Sequence, residues 1–120
     1  MSISWNDKDP IYRQLHDRIV ASILEGVFLD GDGLPSVRQL ASEHRINPIT
    51  VSKSLQLLVD DGLVEKRRGL GMFIKQGAAT RLKDIERQRF LTDEWPLVVE
   101  KILRLGLSKQ TLLADGELDK

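Results

Sequence analysis

Apolar residues recur at helical spacing in two places. Ile11, Leu15, Ile19 and Ile23 fall every four positions, with Tyr12, Val20 and Leu24 beside them. This predicts an amphipathic helix of about four turns. Asp9-Pro10 starts it and Gly26 stops it. Val51, Leu55 and Leu58, at spacings of four and three, form the buried stripe of another helix. Between the two, Val27-Phe28-Leu29 reads as a short extended run and Asp30-Gly-Asp-Gly33 as a turn. The pattern then changes. Leu63–Lys66 and Met72–Lys75 are short apolar-rich runs separated by Arg67-Arg-Gly-Leu-Gly71, a β-hairpin signal with a longer loop.

Punctuation between the stripes predicts a helix-turn-helix. Ser36 is a strong helix N-cap, and Gln39 stands three residues later at the spacing of a capping box. Leu40 and Ala41 supply small apolar contacts for a short helix, and a turn follows at Ile46-Asn47. Pro48 then suits a first helical position, where its fixed φ and missing N–H cost nothing. Asp60-Asp61-Gly62 ends this second helix, with Gly62 suited to a left-handed conformation. Two helices joined so tightly must cross steeply, which projects the second outward. A major groove about 12 Å wide accepts that geometry. A hairpin directly after such a pair is the layout of a winged helix. Arg67 and Arg68 at the loop tip would then touch phosphates or the minor groove.

Beyond Gly77 the chain reads as helical but poorly punctuated. Leu82, Ile85, Phe90 and Leu91 give an imperfect apolar face. Pro96 disfavours helix at the residue before it, so the helix ends near Asp93 or kinks there. Asp93 is a candidate cap for a further helix with the stripe Val98, Ile102 and Leu105. Gly106 ends that helix, and Ser108 caps a last short one carrying Leu112 and Leu113. These helices hold too many leucines to stand bare in water and too little bulk for an independent core. Leu82, Ile85, Phe90, Val98, Ile102 and Leu105 are therefore expected to pair with a second copy. The expected division is residues 1–76 as one domain and 77–120 as a helical dimerisation region.

Charge changes the picture locally. The 120 residues carry 18 basic and 18 acidic side chains, which by itself disfavours nucleic-acid binding. The distribution favours it. Residues 1–33 hold three basic and six acidic side chains, residues 34–77 hold seven and four, and residues 78–120 hold eight and eight. Positive charge gathers on the segment with the two crossing helices and the hairpin. Absence of cysteine excludes a disulfide framework and a thiol nucleophile, and fits a reducing compartment. No apolar run is long enough to span a membrane, and the N-terminus, with Asp7 and Asp9, does not read as a secretory signal.

The run Pro10-Ile-Tyr12, Gln14-Leu15, Gly26, Gly31, Leu34-Pro-Ser-x-Arg38-x-Leu-Ala41, Asn47-Pro48, Thr50-Val51, Gly62-Leu63 and Gly69-x-Gly71 closely resembles the GntR family of bacterial transcription regulators. The short helical tail resembles the YtrA-type subfamily, in which that region dimerises. The resemblance implies a mainly α fold: an N-terminal winged helix-turn-helix of three helices and a hairpin wing, then a short helical dimerisation tail. It implies a cytoplasmic homodimer that binds a palindromic operator and represses, with a neighbouring transporter operon as the target. It carries a DNA-contact role to Arg38, beside the capped Ser36. The same role passes to Asn47, Pro48 and Thr50 at the start of the recognition helix, to Ser52 and Lys53 one turn on, and to the wing glycines Gly69 and Gly71. Three positions depart from the family pattern, where basic residues are common: Ser52, Leu70 and Gly33.

Other chemistry finds little support. Gly69-x-Gly71 lacks the third glycine and following helix of a dinucleotide fingerprint. His16 and His44 have no ligand spacing, so a structural role is expected and no metal. Trp5, in a loose arm over residues 1–8, and Trp95 are expected to pack. No nucleophile elbow occurs. The expected partners are duplex DNA and a second copy, with room at the dimer interface for a small-molecule effector of unidentified class. No cofactor and no catalysis are expected. Two alternatives stay open: a winged helix used for protein contact, and the regulatory appendage of a longer enzyme.

Overall fold

In the computed structural model, which describes residues 5–118, helix α1 spans Ile11–Leu24 and buries Gln14, Leu15, Ile19, Val20 and Ile23. Leu15, Ile19 and Ile23 of the periodic stripe are thus buried, while Ile11 stays exposed. The Glu25 N–H returns to the Ala21 carbonyl, and Gly26 turns the chain with φ 82°. No extended run forms at Val27-Phe28-Leu29, contrary to the sequence expectation. The N–H groups of Val27 and Phe28 both fold back onto the Ser22 carbonyl, which bends the segment. Phe28 packs on the core while Val27 and Leu29 stay in solvent.

Helix α2, Val37–His44, and helix α3, Pro48–Asp60, both pack into this core and on each other. Ser36 and Gln39 form the full capping box: the Ser36 hydroxyl accepts from the Gln39 N–H, and the Gln39 side chain accepts from the Ser36 N–H, each at 3.1 Å. Arg45 closes α2 in the left-handed region, φ 54°, the one non-glycine residue described there. Val51, Leu55 and Leu58 are fully enclosed. Helix α1 lies across α3, and the Ser54 hydroxyl joins the two.

Strands β1, Val64–Arg67, and β2, Gly71–Ile74, pair antiparallel, with Val64 opposite Ile74 and Arg67 opposite Gly71. The free edge of β2 is also occupied. Gly31 and Leu34 donate to the Ile74 and Met72 carbonyls, and Ile74 donates to the Asp32 carbonyl. Gly33 faces Phe73 in an isolated bridge, where a Cβ would lie 3.4 Å from the ring. The turn after α1 therefore anchors the base of the hairpin.

The first four residues of the arm expected over residues 1–8 lie outside the described residues. From Trp5 onward it is fastened. Asn6 donates its N–H to Gln14 Oε1, while Gln14 Nε2 donates to the carbonyls of Asn6 and Asp9. Trp5 packs on the core, with Arg18 over its ring at 4.8 Å and the His44 ring edge-on at 6.1 Å. His16 bridges Asp17 and Asp61 through its two ring nitrogens. His44 Nδ1 is buried with no hydrogen-bond partner among the described residues.

The chain divides into two compact units at Lys83/Asp84. Helix α4, Ala78–Arg89, runs across that division. Ala78 and Leu82 are part of the first unit's core, with Leu82 only 5% exposed. Leu82 therefore has its partners within one chain and does not wait for a second copy, a correction to the sequence reading.

In the second unit, a π-helical turn, Phe90–Glu94, leads into α5, Trp95–Arg104, and α6, Lys109–Leu118, follows. Pro96 lies in the first turn of α5, as expected, but Asp93 is not its cap. In an α-helix its ring would strike the carbonyl four residues back. The turn before it is wider, closed by the Trp95 N–H onto the Phe90 carbonyl. Glu94 takes the capping position without a side-chain bond. Gly106, φ 69°, ends α5, and the Ser108 hydroxyl accepts from the Thr111 N–H at 3.4 Å.

Candidate nucleic-acid interface

The two stripes that build the core also decide what α3 shows to solvent. With Val51, Ser54, Leu55 and Leu58 turned inward, the opposite face carries Ile49, Ser52, Lys53 and Gln56, all exposed. These positions follow the i, i+3, i+4, i+7 spacing of one helical face. Two of the backbone positions that open the helix leave no loose donor. Asn47 Oδ1 accepts the Ile49 N–H at 2.8 Å, and Pro48, at N1, has none. Both residues named from the sequence as contacts thus also shape the helix end. Thr50 is half-buried, and its carbonyl accepts a second approach of the Ser54 hydroxyl at 3.2 Å.

The exposed basic groups differ in their freedom. Arg38, in the first turn of α2, makes no ion pair or side-chain hydrogen bond among the described residues, and neither does Arg68. Lys53 holds its ammonium 4.1 Å from the centre of the Tyr12 ring, a cation–π contact. Arg67 is engaged twice. Its guanidinium donates to Glu65 Oε1 at 2.9 and 3.1 Å and stacks over the Phe73 ring at 4.3 Å. Arg67 and Arg68, expected alike at the loop tip, differ in place and in partners. Arg67 is instead a strand residue tied to its own hairpin, and Arg68 is the open cation at the tip.

Gly69 and Gly71 take φ 78° and 116°, values that a side chain would strain, and nothing approaches within 4 Å of where a Cβ would sit. They form the turn and leave its backbone uncovered. Leu70 stands between them, 73% exposed. Ser36 faces solvent, but its oxygen is already a cap acceptor.

One exposed residue escaped the sequence reading. Ile49 is 78% exposed, the most open of the large apolar side chains among the described residues. The signal lay in the angular position: two residues before Val51 is about 200° around the helix from the buried stripe.

Among the residues named for pairing with a second copy, Ile85, Phe90, Val98 and Leu105 are exposed and Ile102 is buried. Phe90 lies beside Trp95, ring centres 6.0 Å apart. No cluster of three or more metal-ligating side chains occurs among the described residues. None of their helices is long and apolar enough to cross a membrane.

The arrangement has many relatives. HTH-type transcriptional regulator YhcF of Bacillus subtilis is 32% identical over 113 residues, which cover 94% of this chain and 92% of that one. HTH-type transcriptional repressor YtrA of Bacillus subtilis is 42% identical over 82 residues, covering 68% of this chain and 63% of the repressor. The chain therefore spans less than two thirds of YtrA's length. A GntR family transcriptional regulator from Listeria monocytogenes superposes with a TM-score of 0.75 at 28% identity, over 94% of this chain and 97% of that one. The DNA-binding domain of AraR, solved in complex with operator ORX1, shares the fold alone: TM-score 0.56 and 23% identity, over 62% of this chain and 94% of that one. Residues 11–74, from the start of α1 to the end of β2, match the bacterial regulatory proteins of the gntR family. The chain is a winged helix-turn-helix protein that belongs to the gntR family of transcription regulators, in its YtrA-type branch.

Proposed function

We propose that this protein is a cytoplasmic repressor that binds a palindromic operator as a homodimer, and that it works by binding alone, without catalysis. The observation that carries the reading is the exposed face of α3, with Arg38 in α2 and Arg68 at the hairpin tip, neither paired among the described residues. In this reading residues 48–60 enter the major groove. Arg38, Asn47, Thr50, Ser52 and Lys53 contact bases or phosphates, and Gly69 and Gly71 let the wing backbone approach the neighbouring strand. Residues from about Asp84 onward bring two copies together. Exposed Ile85, Phe90, Val98 and Leu105 supply the apolar surface for that, and a small-molecule effector would bind at the interface so formed. Two copies then reach half-sites one helical turn apart, roughly 34 Å. The family resemblance points to a neighbouring transporter operon as the controlled target.

The test is selection of bound duplexes from a random library by the full chain, followed by titration of the selected duplex at several salt concentrations. The expected result is an inverted repeat bound with a dissociation constant of about 10⁻⁸–10⁻¹¹ M, weakening as salt rises. Arg38→Ala would weaken binding by about 1–3 kcal/mol with altered sequence preference if Arg38 reads a base, or about equally on all duplexes if it holds a phosphate. Recovery of no duplex, or binding indifferent to salt, would favour a protein-contact role for the winged helix.

A further inference from the structure

Ile49 occupies the leading turn of α3, yet nothing in the fold uses its side chain. It is 78% exposed and absent from the core and from the groups packed against it. A β-branched residue is also a mediocre choice for an exposed helical position. Its neighbours on the same face have other engagements: Lys53 rests over Tyr12, and Gln56 donates to Asp60 Oδ1 at 3.0 Å. Ile49 and Ser52 are the two side chains of that face without a partner among the described residues. A helix that presents an aliphatic group first meets a limited set of apolar features in a major groove. The floor and edges of the groove carry hydrogen-bond donors and acceptors, and the projecting apolar group is the thymine 5-methyl.

We infer that Ile49 is a specificity-determining residue that packs on a thymine 5-methyl group and so selects a T·A pair in each half-site. This deepens the DNA-binding reading proposed above and rests on it. Selectivity of this kind needs no hydrogen bond. It comes from removing two aliphatic surfaces from water together, and a cytosine at the same place would leave Ile49 facing a polar amino group.

The experiment removes the methyl from the DNA and the side chain from the protein independently. Each thymine of the duplex selected by the full-length parent is replaced in turn by deoxyuridine, which has the same hydrogen-bonding edge without the methyl. Ile49→Ala is titrated against the same set. Because the side chain is exposed, thermal unfolding of the variant should match the parent, and that measurement accompanies the titrations. One thymine position per half-site should be sensitive. Losing its methyl should weaken parent binding about fourfold, the worth of one buried methyl, and about fifteenfold when both half-sites are changed. Ile49→Ala should bind the thymine duplex more weakly and make no distinction between thymine and deoxyuridine there. A parent indifferent to deoxyuridine everywhere, or a variant as sensitive as the parent, would overturn the inference while leaving DNA binding intact. Failure of the parent to select any duplex would overturn both.

Discussion

The Ser54 hydroxyl donates to the Tyr12 carbonyl at 2.6 Å, a bond between α3 and α1 from a fully buried serine to a half-buried tyrosine. It fixes how far α3 stands out from the core, because its donor sits on the inward face opposite Ser52 and Ile49. Ser54→Ala should lower stability by about 1 kcal/mol, the net worth of one such bond. Ser54→Leu should cost about 1–3 kcal/mol through overpacking, and by lifting α3 it should weaken duplex binding as well. Urea unfolding and titration of the selected duplex on both variants check this. Equal duplex affinity in a folded Ser54→Leu variant would show that α3 does not need that depth.

Ser36 separates folding from recognition. Ser36→Ala removes the cap acceptor of α2 and should lower stability by about 1 kcal/mol. Ser36→Asp keeps a good cap, so its urea midpoint should match the parent. If Ser36 lies at the phosphate backbone, the added negative charge should weaken binding at low salt. A Ser36→Asp variant with parental affinity at every salt concentration would remove Ser36 from the interface.

The two arginines of the wing should behave differently. Arg68→Gln removes a solvated cation, leaving stability unchanged and lowering the slope of log affinity against log salt by about 0.9 per protomer if it holds a phosphate. Arg67→Gln breaks the Glu65 bonds and uncovers Phe73. Both groups are substantially exposed, so the stability loss should stay at or below about 1 kcal/mol. The salt slope should change less than for Arg68. Identical salt slopes and melting curves for the two variants would contradict the distinction.

Local chemistry made part of this molecule readable in advance. Cap residues act on backbone groups within a few positions, so Ser36 with Gln39, Pro48 after Asn47, and Gly62 after α3 announced the ends of α2 and α3 before any tertiary contact. The stripes of α1 and α3 did the same for the core. Where backbone hydrogen bonds or tertiary packing outvote local composition, the sequence misled. Val27-Phe28-Leu29 has the composition of a strand, but the Ser22 carbonyl and Gly26 bend it. Leu82 looks like its leucine neighbours further on, and only packing reveals that it belongs with Leu15 and Leu58. In the candidate interface, the exposure of Arg38 and Arg68 was legible from their places at a helix start and a loop tip. The engagement of Arg67 was not, since its ring partner Phe73 lies across the hairpin. Ile49 was overlooked because apolar residues at an exposed helical position resemble core residues until the helix face is worked out.

Leu82 also changes where the chain can be cut. Leu82→Ala should destabilise the first unit by about 2–5 kcal/mol without altering the association state measured by sedimentation. A chain ending at Gly77 loses both Ala78 and Leu82 from its core and should unfold at markedly lower urea. A chain ending at Arg89 should keep near-parental stability. If residues beyond it join two copies, it should sediment as a monomer where the parent sediments as a dimer. A dimer from the shorter chain, or a monomeric parent at high micromolar concentration, would remove the proposed role of the second unit.

The π-helical turn at Phe90–Glu94 makes the surface beyond it a matter of phase. A turn closed over five residues instead of four holds one residue more, and one residue is about 100° of helical rotation. The compass bearing of Val98, Ile102 and Leu105 about the helix axis is therefore set by the width of this turn as much as by their own spacing. Adding or deleting a single residue there would re-index which side chains share a face, without replacing any of them.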